Sequence, residues 1–110
     1  MPETADSGTK EKKYFLLKLI APRPDFANTM TAAEMKVMQD HGAYLSGYVE
    51  KGTVIVMGPV LDPAGPWGVA VVETGSEEEA RGIIAKDPTT LSGLGFRWEI
   101  YPMLRAVVRK

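Results

Sequence analysis

His41 is the only histidine of the chain, and there is no cysteine. An imidazole gives and takes a proton near neutral pH more readily than any other unperturbed side chain. Acid–base chemistry is therefore what this sequence is best equipped to do. Thiol nucleophiles, disulfides, iron–sulfur clusters and cysteine metal sites are excluded, as is a multi-histidine metal site within one chain. Ser46 and Ser92 lack a nucleophile-elbow context. Val37, Met38, Tyr44, Leu45 and Tyr48 stand at −4, −3, +3, +4 and +7 from His41, which is one helical face. A histidine on such a face is more often structural than functional.

Asp87 is the carboxylate to set beside it. It follows Ala80 by seven positions and Ile83 by four, on the apolar stripe of a helix expected to end at Asp87 because Pro88 follows. A negative charge there meets the unfavourable end of the helix dipole, so a compensating cation or hydrogen bonds are expected. The plainer alternative is an aspartate capping a turn before Pro88. Arg23, between Pro22 and Pro24, is a candidate for holding an anionic group; Tyr44, Tyr48, Gly58 and Pro59 are candidate pocket residues. Glu77-Glu78-Glu79 reads as a solvated first helical turn, and Trp67 and Trp98 read as core or interface. The six methionines read as core filler.

These groups need elements to position them. Tyr14–Ile20 has the composition and length of a strand. Thr31 and Glu34 have capping-box spacing, which starts a helix running to about Glu50, with Gly52 as a stop. Val54–Met57 is a strand closed by Gly58-Pro59, and Gly68–Val72 is a third strand. Ser76 and Glu79 form a second capping box for the second helix. Phe96–Ile100 alternates as a fourth strand, and Met103–Val108 reads as extended. The order β-α-β-β-α-β predicts an α+β, ferredoxin-like domain, with four antiparallel strands and two helices on one face. His41 then lies about nine residues above the base of its helix and Asp87 about ten above the base of its own, both roughly 14–16 Å up.

Thirteen basic and fourteen acidic residues nearly cancel, so a phosphate-binding excess for nucleic acid is missing. No apolar run approaches a membrane span. Residues 1–12 are polar and charged, with no leader-like apolar core; they read as a flexible tail before one domain, 13–110. A cytoplasmic protein is expected. The first three strands are apolar at consecutive positions, so both sheet faces call for burial. Two helices cover only one face, which predicts a homodimer packed sheet against sheet.

His41-x-x-Tyr44-Leu45, Gly52, Gly58-Pro59, Gly68, Glu79-Ala80, Asp87-Pro88, Gly93-Leu94 and Pro102, from about Tyr14 to Val108, resemble the YCII-related (YciI-like) proteins. Arg23-Pro24-Asp25-Phe26 resembles one branch of them. The resemblance implies a dimeric α/β barrel and a His–Asp pair in a cleft, roles that fall on His41 and Asp87. It does not imply a particular substrate. The expected function is cofactor-free elimination or isomerisation of a small anionic molecule, with no metal. One alternative is a non-catalytic ligand- or partner-binding module. Another is a haem-binding barrel with His41 as axial ligand, which an intense Soret band would reveal.

Overall fold

The computed structural model describes residues 11–110, so the expected tail, 1–12, falls almost wholly outside it. The elements run β1 (Lys13–Ile20), α1 (Phe26–Thr29), α2 (Ala32–Glu50), β2 (Val54–Val60), β3 (Trp67–Thr74), α3 (Glu77–Ala85), α4 (Pro88–Ser92) and β4 (Arg97–Met103). The strands form one antiparallel sheet in the order β2-β3-β1-β4. This is the ferredoxin-like plan, with α2 and α3 as its crossovers and α1 and α4 as short additions. No helix among the described residues is long and apolar enough to cross a membrane.

Several boundaries differ from expectation for physical reasons. β2 does not close at Gly58-Pro59 but runs on to Val60, with Pro59 opposite Gly68. A proline would cost a central strand a ladder bond, but β2 is an edge strand and tolerates it. The second helix stops at Ala85 rather than Asp87. At its start, the Ser76 hydroxyl accepts from the Glu79 N–H, but the Glu79 carboxylate accepts from Gly75 N–H instead of closing a box on Ser76. The box at Thr31 and Glu34 is complete. β4 ends at Met103, and residues 105–110 have no regular structure.

The side-chain period of two sorts the sheet into two faces. Phe15, Leu17 and Leu19 of β1 share a face with Ala70 and Val72 of β3, and all five are buried. Leu45 of α2 and Ala80 and Ile83 of α3 close this core. The opposite face carries Leu16, Val71, Val56 and Tyr101 in register across all four strands. No described element covers it, and Val56 and Tyr101 are about half exposed, at 55% and 49%.

Candidate functional site

Asp87 lies one residue beyond the Lys86 cap of α3, with an extended backbone, and is the N-cap of α4, where Pro88 occupies the first turn. The expected conflict with a helix dipole is thereby removed: the carboxylate stands at the favourable end of the next helix. Its compensation comes from hydrogen bonds. Asp87 Oδ1 accepts from Thr89 N–H at 2.8 Å and from Thr89 Oγ1 at 2.7 Å. Both carboxylate oxygens face His41 Nδ1, at 3.0 and 2.9 Å. The pair is shielded from water, with side-chain exposures of 12% for His41 and 1% for Asp87. The spacing expected the two residues at similar heights on the two long helices; Asp87 instead stands at the start of α4, and it is α4 that packs against α2.

The network extends one step further. Trp98 Nε1–H donates to Thr89 Oγ1 at 3.0 Å, and its ring sits 6.0 Å from the His41 ring, tilted by 53°. Thr89 is thus held from both sides, accepting from the indole and donating to the carboxylate. With Asp87 accepting at Nδ1, the neutral imidazole carries its hydrogen there and presents a lone pair at Nε2. Nε2 has no hydrogen-bond partner among the described residues.

His41 lines a cavity of about 300 Å³ between the sheet, α2 and the loop after β1. Phe26, Met38, Met57, Phe96 and Trp98 contribute to its walls, with Gly58 and Pro59 of β2. Phe26 and Phe96 meet edge to face, with ring centroids 5.4 Å apart. Among the lining residues His41 is the only one with an ionisable side chain. Thr89, Phe26 and Phe96 were not singled out from sequence, and Trp98 was assigned only to core or interface. The signal for Thr89 was the run Asp87-Pro88-Thr89, an N-cap followed by proline at the first helical position.

Arg23, Tyr44 and Tyr48 lie outside the lining. Tyr44 and Tyr48 meet each other edge to face beside the core, and the Tyr44 hydroxyl donates to the Ile83 carbonyl at 2.8 Å. Burial foremost, with the neighbouring Tyr48 and the Asp87 charge, raises the Tyr44 phenol above its ordinary value and keeps it protonated.

Arg23 is engaged by Glu34. Its Nη1 and Nη2 donate to the two carboxylate oxygens at 2.9 and 2.7 Å, and it also bonds Thr29. Glu34 serves the α2 capping box at the same time, so one buried carboxylate ties the loop after β1 to the start of α2. Arg23 first, then the Thr31 N–H, hold its carboxyl down from 4.5 to about 2. A depressed folded value means that the stabilisation is complete above about 4.5 and is lost as pH falls through about 2. Urea midpoints of wild type and Glu34→Gln should therefore differ near pH 6 and converge towards pH 2; an unchanged gap would exclude the clamp as an acid-sensitive tie.

No group of three or more metal-ligating acidic or histidine side chains is assembled among the described residues. The family model for the YCII-related domain matches residues 14–104. Among solved structures, the uncharacterised protein TM1266 from Thermotoga maritima is similar, at 14% identity and a TM-score of 0.49, over 84% of this chain and 99% of that one. No curated protein matches.

Proposed function

The chain belongs to the YCII-related family, and from that premise we propose that it is a small cofactor-independent enzyme in which His41 moves a proton on a small organic molecule. One observation carries this reading. The only histidine is bonded through Nδ1 to a buried aspartate while it lines an apolar cavity. Nε2 takes a proton from a carbon next to a carbonyl, and the C–H electron pair becomes the enolate. Asp87 stabilises the imidazolium so formed. Return of the proton at another carbon completes an isomerisation. Departure of a leaving group with its bonding pair from the neighbouring carbon completes an elimination.

Solvent deuterium tests the proposal directly. A metabolite set incubated with the protein in deuterium oxide should include a compound that gains carbon-bound deuterium with wild type and not with His41→Gln. Incorporation at the same rate with both proteins would remove His41 from the chemistry.

The same reading includes a homodimer in the cytoplasm. The uncovered face supports it: Leu16, Val56 and Val71 stand in register at its centre, with Lys18, Glu73 and Glu99 towards its ends, and an exposed apolar patch rimmed by polar residues marks an interaction surface. Light scattering at micromolar concentration should give twice the 12.0 kDa chain mass, and Leu16→Glu should give a single chain. A 12.0 kDa wild-type species would refute the pairing.

A further inference from the structure

We infer that the molecule this cavity takes is uncharged: a ring-sized apolar body carrying one hydrogen-bond donor directed at His41 Nε2. The inference rests on the proposed acid–base site and names its class of ligand: the donor is an enol hydroxyl, whose proton Nε2 takes while the O–H pair becomes the C=O bond and the C=C pair takes a proton at carbon, the enol-to-ketone direction of the same isomerisation. It departs from the anionic molecule expected from sequence, because the arginine behind that expectation is engaged by Glu34 and lies outside the lining.

Charge balance decides against an anion. A carboxylate brought into an apolar site needs a counter-charge to offset its lost hydration. His41 is the only lining residue that could supply one. When protonated, its charge is already balanced by Asp87 at 2.9 Å. When neutral, it supplies none. With the ring protonated, an entering anion would leave the site with one unpaired negative charge; with the ring neutral, it would add its own to that of Asp87. A cation fares no better, since the Asp87 carboxylate is only 1% exposed and lies behind the imidazole.

Hydrogen-bond polarity decides the rest. Asp87 accepts the Nδ1 hydrogen, so Nε2 of the neutral ring is an acceptor and calls for a donor on the ligand. The Trp98 indole N–H, which could otherwise serve a ligand acceptor, is committed to Thr89. About 300 Å³ is the small end of the range for ligand pockets, and Phe26, Phe96 and Trp98 offer aromatic walls to a ring.

Three probes of one size separate these elements: phenol, benzoate and anisole, titrated calorimetrically into the full chain near neutral pH. Phenol is uncharged with a donor, benzoate carries a charge, and anisole has the ring without a donor. Phenol should bind about tenfold or more tightly than either of the others, the equivalent of one well-made hydrogen bond. Both His41→Ala and His41→Gln, checked for fold by circular dichroism, should reduce the preference of phenol over anisole. Benzoate binding as tightly as phenol would overturn the uncharged class and leave the acid–base reading standing on its deuterium test. Phenol binding no better than anisole would overturn the donor requirement. Failure of all three to bind at millimolar concentration would overturn the cavity as a ring site.

Discussion

Asp87→Ala should destabilise the protein by about 3–5 kcal/mol, the range found when one partner of a buried, hydrogen-bonded polar pair is removed. Three kinds of loss add at one position. The N-cap of α4 disappears with the bond to Thr89 N–H, which alone costs about 1 kcal/mol. The Thr89 hydroxyl, 1% exposed as a residue, loses its acceptor while still accepting from Trp98. His41 Nδ1–H is left facing an apolar gap, and each unsatisfied buried donor costs about 1–3 kcal/mol. Asp87→Asn keeps an oxygen for Thr89 and should cost distinctly less. Urea unfolding of the three proteins measures both differences. An alanine variant within about 1 kcal/mol of wild type would mean that the network is slack in solution.

His41→Ala should lower kcat/KM on the compound that exchanges deuterium by about 10²–10⁴-fold, the usual worth of a positioned general acid–base. The chain offers no second imidazole to take over. Loss of stability should be modest by comparison, because Asp87 would keep both bonds from Thr89. Asp87→Asn tests the orienting role separately. Its amide can turn N–H toward the ring and favour the other tautomer, which removes the lone pair from Nε2. Asparagine should therefore reduce kcat with little change in KM, and nitrogen-15 spectra of the single imidazole should report the exchanged tautomer. Unaltered turnover in both variants would leave the pair as a tie between α2 and α4.

The sheet and its two crossovers were legible because each rests on a local signal: consecutive apolar residues, a capping box, a period of two. His41 was legible as the only residue of its kind. Asp87 was identified as a residue but placed on the wrong element. Pro88 ends the run before it and also opens the helix after it, and local pattern does not rank those two effects. Capping-box spacing shows that Glu34 serves Thr31 but not that it also takes Arg23, the candidate for an anionic group; one carboxylate accepting from both is a tertiary fact. The lining residues Phe26 and Phe96 are seventy positions apart in sequence and meet only when α1 folds against the approach to β4. Thr89 is tied to Asp87 locally, and Trp98 joins the network because its indole reaches Thr89 from β4.

The proline in the edge strand β2 bears on how copies of the chain can assemble. A bare strand edge is a template for the next sheet, and repeated edge-to-edge addition grows without limit into fibres. Pro59 has no N–H to offer such an addition, and Gly58 beside it weakens the strand as a template. Growth in the plane of the sheet is discouraged on the β2 side, whereas contact through the sheet's broad face is not. Two copies meeting face to face use up the surface that joined them, and association stops there. Pro59 thus favours closed assembly over polymerisation, a safeguard a chain with so much exposed apolar sheet would need at cellular concentrations.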